Sequence, residues 1–185
     1  MIDFQYEHGR WEPPIAGDEA ATLLGFLERQ RATFAWKCAG LDAAGLRATL
    51  GTSTMTLGGM LKHLARFEDD MSTEWLHGQA QLPPWNVVDW AADPTWDWRT
   101  ATEDDPETLY ARWRDAVVRS RTLFAKAMAE GGPARRAGES TDPHDGLPSL
   151  RYILINMIEE YARHNGHADL IRESVDGLVG HDPPH

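Results

Sequence analysis

Apolar residues recur at steps of three and four along four stretches of the chain, and each stretch predicts an amphipathic helix. In the first, Ala20, Leu24, Leu27, Phe34, Cys38 and Leu41 form one stripe running to about Gly40, with Arg31 as its polar intruder. The Asp18-Glu19 pair suits the start of this helix, because carboxylates there face the positive end of the macrodipole. In the second, Leu57, Met60, Leu61, Leu64, Phe67, Met71 and Trp75 follow a predicted cap at Ser53 or Thr54 and stop at Gly78. His63 falls inside that stripe, between Met60 and Phe67. The third stripe is Leu109, Trp113, Val117, Ser120, Phe124 and Ala127, opened by Asp105-Pro106 and ended by Gly131-Gly132-Pro133. The fourth runs from about Ser149 to Asp176 on Leu150, Ile153, Leu154, Met157, Ile158, Tyr161, Ala168 and Ile171, and Gly177 closes it. Nothing reads as a sustained strand.

These four helices predict an all-α fold, a four-helix bundle forming a single domain over residues 1–185. Residues 1–17, with Pro13 and Pro14, read as an N-terminal arm, and 178–185 as a C-terminal tail. Between the second and third helices, residues 79–104 break the period with Pro83, Pro84 and Pro94 and with Trp85, Trp90, Trp96 and Trp98. A long Trp/Pro-rich connection inside a compact domain either closes the core or serves a site. Sealing one end of the bundle is the simpler expectation; the alternative is that the indoles line the mouth of a cleft.

Charge removes some partners. A formal net charge of −11 and a pI near 5.1 oppose approach to nucleic acid or anionic membrane. No apolar run is long enough to span a bilayer and the first residues lack a leader pattern, so a cytoplasmic location is expected. The single cysteine, Cys38, excludes an intrachain disulfide and reads as an inert buried thiol. The acidic runs Glu68-Asp69-Asp70 and Glu103-Asp104-Asp105 read as solvated faces, the latter at a helix start.

Candidate chemistry sits on the last helix. With Ile153 as the zero direction, Glu160, His164 and His167 fall at roughly −20°, +20° and −40°, among the helix's own apolar residues. An ionised carboxylate on such a face is costly unless paired or coordinated. Glu160 and His164 lie one turn apart and can share one ion, with His63 from the second helix as a third ligand. Such a set leaves an open position, as catalytic sites do, and suits a divalent metal: zinc first, with nickel or iron(II) as alternatives. His167, one turn further along, is open to three roles: fourth ligand, partner of a ligand, or a catalytic base near bound water. His8, His77, His144, His181 and His185 read as solvated histidines.

Three segments carry a resemblance: Glu28-Arg29-Gln30-Arg31, Leu57-Gly58-Gly59-Met60-Leu61-Lys62-His63-Leu64, and the run from Glu159-Glu160-Tyr161-Ala162-Arg163-His164 through Asn165-Gly166-His167-Ala168-Asp169-Leu170-Ile171-Arg172-Glu173. Together they resemble the DinB-like superfamily, in the branch near mycothiol-dependent maleylpyruvate isomerases. The resemblance implies a metal held by a histidine of the second helix, here His63, and two residues one turn apart on the fourth, here Glu160 and His164. It also implies a low-molecular-weight thiol as cosubstrate, a small-molecule substrate and a homodimer. Asn156, where a histidine stands in many close relatives, and residues 79–104 depart from the isomerase pattern. Two functions follow: a thiol-dependent, metal-using transferase or isomerase, or a non-catalytic metal- or ligand-binding stress-response module. Access to the site discriminates them.

Overall fold

The computed structural model describes residues 12–138 and 146–180. It is all-α, with four long helices: α1 (Glu19–Cys38), α3 (Leu57–Asp69), α5 (Pro106–Gly131) and α6 (Leu150–Asp176). Two short ones, α2 (Ala43–Arg47) and α4 (Trp96–Thr100), lie in the connections. The expected arm and tail fall largely outside the described residues, as do His8, His144, His181 and His185. Among the described residues no helix is long and apolar enough to cross a membrane.

Local chemistry explains where the helices begin and end. Asp18, Asp105 and Ser149 each accept an amide of the first turn, from Ala21, Thr108 and Tyr152 respectively. Gly177 ends α6 with φ 76°, a conformation open to glycine without strain. The cap of α3 is Thr56 rather than Ser53 or Thr54: its Oγ1 accepts the Gly59 amide at 2.9 Å, while Ser53 Oγ accepts from Met55 in the preceding turn. Beyond Asp69 the helix widens into a π-helical turn, Asp70–Trp75.

Helix α1 packs chiefly on α6, and α3 on α5, with α3 also touching α6. Leu27, Phe34, Leu61, Leu64, Phe124, Ile153 and Met157 fill the space between them with at most 1% exposure. Trp85, from the connection, is also fully buried and donates Nε1–H to Asp69 at 2.9 Å, so this indole does seal the core. Cys38 is buried, which pushes its thiol far above the ordinary range.

Two sequence expectations fail here. Glu68, Asp69 and Asp70 are buried, not solvated, because each is matched by cations or hydroxyls, those of Glu68 and Asp69 from other helices and that of Asp70 from one turn earlier on its own helix. Glu68 receives Arg31 Nε at 2.7 Å, Ser120 Oγ at 2.5 Å and Tyr161 OH at 2.6 Å. Asp69 receives Arg119 Nε at 3.0 Å, and Asp70 receives Arg66 Nε at 3.1 Å. The second run divides: Glu103 is exposed, Asp104 is bound to Lys62 and Arg112, and Asp105 caps α5. His77 is half-buried rather than solvated, with Nδ1 3.5 Å from Arg135 Nη2.

Candidate metal centre

His63 stands in the second turn of α3, and Glu160 and His164 stand one turn apart on α6 where that helix meets α3. Glu160 Oε1 lies 3.2 Å from His63 Nε2 and 3.1 Å from His164 Nε2. One ligand-capable atom from each of the three residues lies within 4.8 Å of the others. A single carboxylate oxygen thus faces two imidazole nitrogens across two helices.

The remote nitrogens of both histidines also have neighbours. His63 Nδ1 is 3.0 Å from Asp97 Oδ2, and His164 Nδ1 is 3.5 Å from His167 Nδ1. Asp97 comes from α4, inside the Trp/Pro-rich connection, and its side chain is 1% exposed. The next residue, Trp98, lies against the His63 imidazole with ring centroids 4.7 Å apart and planes 28° apart. That approach requires Gly59: a Cβ there would stand 2.8 Å from Trp98 Cε3. The indoles therefore divide: Trp85 seals the core, as expected, and Trp98 lies against the site.

Electrostatics follow the geometry. Glu160 is held well below the usual carboxylate range, first by the hydrogen bond with His164 and then by that with His63. Burial opposes the charged form of His63, but Asp97 and Glu160 outweigh it and raise its pKa. Burial likewise works to raise Asp97, and the His63 hydrogen bond overcomes it, so that carboxyl is lowered. His167 is lowered by burial and by its neighbour His164, which favours a neutral ring.

The donor set suits a divalent ion. For Glu160 to accept from both Nε2 atoms while Asp97 accepts from Nδ1, His63 must carry two protons. One cation among the three donors removes that demand, since imidazole lone pairs and a carboxylate bind zinc-like ions at about 2.0–2.2 Å. The side chains of His63 and Glu160 retain 18% and 22% exposure, so the cluster is reachable from solvent, while His164 keeps 5%.

The sequence reading missed Asp97, and it named Trp98 without placing it against His63. Periodicity could not find them, because α4 has five residues and no stripe. A signal did exist: a ligand histidine needs an acceptor for its second nitrogen, and the connection offers Asp89, Asp93 and Asp97.

The model of the mycothiol-S-transferase family matches residues 22–177 of the chain. No curated protein matches it.

Proposed function

We propose that this chain, which belongs to the mycothiol-S-transferase family, joins a low-molecular-weight thiol of the mycothiol kind to a small electrophile beside a divalent metal. His63, Glu160 and His164 would hold the ion. The observation that carries the reading is the convergence of these three donors from two helices at a place open to solvent. Zinc is the first expectation, and nickel or iron(II) suits the same donors. When bound, such an ion supplies Lewis acidity that favours a thiolate at neutral pH.

The chain's own residues would do the rest. Trp98 flanks the His63 ring and limits water on that side. His167, half-buried beside His164, is the group we assign to receive the thiol proton and pass it to the leaving group as the carbon–sulfur bond forms. The balance is then a thiol and an electrophile consumed, a thioether and the protonated leaving group produced.

The test is metal analysis of protein purified without a nickel column, together with consumption of mycothiol against an alkylating electrophile. One ion per chain is expected, and His63→Ala, Glu160→Ala and His164→Ala should each remove most of it, whereas His77→Ala should not. Full metal content in His63→Ala would sink the proposed site. Stoichiometric metal without thiol transfer to any electrophile would favour the non-catalytic module.

A further inference from the structure

Trp85 shows that the 79–104 connection is part of the core, but α4 carries a second task that sealing does not require. Its first residues, Trp96 and Asp97, sit over α3 at the turn that bears His63. Three contacts pin this arm: Lys62 Nζ donates to Thr100 Oγ1 at 2.8 Å and to Asp104 Oδ2 at 2.6 Å, and Trp98 rests on Gly59. With the arm so held, the Asp97 carboxylate is left to face His63. Its Oδ1 takes the backbone amide of Trp98 at 3.0 Å, and its Oδ2 takes His63 Nδ1 at 3.0 Å. Arg66 Nη1 stands further off, at 3.5 Å from the same oxygen.

We infer that Asp97 is a positioning residue for the centre: it holds the His63 ring with its proton on Nδ1, so that Nε2 presents a lone pair on the side of Glu160 and His164. The inference rests on the reading of that centre as a metal site. A neutral imidazole has one N–H, and an ionised carboxylate can only accept, so the pair selects one tautomer of two. The negative charge also makes the far nitrogen a stronger donor. A neutral acceptor in the same place would supply less of the second effect and would no longer dictate the first. An arm whose sole task was to cover the core would need no buried carboxylate at that atom, since Lys62, Thr100, Asp104 and Trp98 already fasten it.

The experiment is zinc affinity of metal-stripped protein, measured by competition with a chromophoric chelator, for the wild type, Asp97→Asn and Thr100→Val. Thr100→Val loosens the same arm without touching His63. Asp97→Asn should weaken zinc binding by about 10–100-fold, the usual effect of losing such a partner, with Thr100→Val within about threefold of wild type. An Asp97→Asn affinity within about threefold of wild type overturns the inference, as does an equal fall in both variants, which would make Asp97 only a fastener of α4. Nitrogen NMR of the zinc-loaded wild type gives a reading that needs no variant: His63 should keep its proton on Nδ1, and a proton on Nε2 overturns the assignment. A wild type that takes up neither zinc, nickel nor iron(II) defeats the metal reading itself, and this inference with it. A wild type that binds zinc normally beside an unaffected Asp97→Asn defeats the inference alone.

Discussion

Replacing Arg31 by methionine should be among the most damaging single changes in the core. The guanidinium is 1% exposed and donates to Glu68 from Nε at 2.7 Å and from Nη2 at 2.5 Å, to Glu28 from Nη1 at 2.6 Å and to Ser120 at 2.8 Å. Methionine fills most of the aliphatic volume, so the loss is electrostatic rather than a cavity. Glu28 keeps Arg121, whose Nη2 donates at 2.6 Å. Glu68 is 0% exposed, and the hydrogen bonds described to it besides those of Arg31 come from the hydroxyls of Ser120 and Tyr161. Leaving one buried charge without its counter-ion costs about 3–5 kcal/mol, a large part of the roughly 5–15 kcal/mol that holds a domain together.

Urea unfolding followed by far-UV circular dichroism checks this in a four-member cycle of wild type, Arg31→Met, Glu68→Gln and the double variant. The double variant should be more stable than the sum of the single losses implies, by a coupling of about 1–3 kcal/mol, because the neutral amide no longer needs the cation. An Arg31→Met loss under about 1 kcal/mol, or strictly additive losses, would refute the reasoning.

Three further outcomes are expected. Burial raises the Asp70 carboxyl to about 6 against the pull of Arg66, so the fold favours its protonated form. That contribution is complete below the unfolded value of 3.8 and is lost as pH rises through 6. Asp70→Asn should therefore add stability on the order of 1–3 kcal/mol near pH 7 and little near pH 4 in the same urea assay, and an equal gain at both would count against it. Gly59→Ala places a Cβ 2.8 Å from the rigid Trp98 ring. The ~1–3 kcal/mol of overpacking is partly offset by the ~1 kcal/mol of helix propensity that alanine restores, so thermal stability should change modestly while zinc affinity falls. Unchanged affinity would mean that Trp98 does not support His63. His167→Gln should keep metal but cut thiol transfer by about 10²–10⁴, the usual cost of a lost general base, and metal loss together with activity would make it a ligand instead.

The parts of the fold that could be read from the sequence are those whose rules are local. Asp18, Asp105, Ser149 and Gly177 mark helix ends through contacts three or four residues away, and the long stripes of α1, α3, α5 and α6 repeat often enough to declare a period. The approach of His63 to Glu160 and His164 followed the same logic, since each occupies an inward position on a regular helix. Helices α2 and α4 are five residues each, too short for any period to emerge. The run Glu68-Asp69-Asp70 failed for another reason. A run of charges looks alike whether solvated or paired, and its deciding partners Arg31, Arg119 and Trp85 lie 37, 50 and 16 residues away. Half of the answer was nonetheless visible: an arginine on an apolar stripe demands a carboxylate opposite, and only the assembled bundle, in which Arg31 of α1 reaches Glu68 of α3, says which.

That buried pairing bears on the candidate site through register. Helix α3 carries both His63 and, five residues on, Glu68; α6 carries Glu160 and, next to it, Tyr161. Tyr161 OH donates to Glu68 Oε1 at 2.6 Å and receives Trp113 Nε1–H at 2.9 Å, so a directional bond ties the same two helices close to the donors they bring together. Apolar packing alone tolerates exchanges of shape and small shifts along a helix axis, whereas a buried hydrogen bond to a charged group does not. A slip of α6 by one residue would move it about 1.5 Å along its axis with a turn of roughly 100°. Such a slip would break the Tyr161–Glu68 bond and swing Glu160 off the His63 side. Buried ionic networks add little net stability relative to a well-packed apolar core, and their better-attested role is to select one arrangement among several. In this bundle the selected arrangement is the one in which two imidazoles and a carboxylate meet.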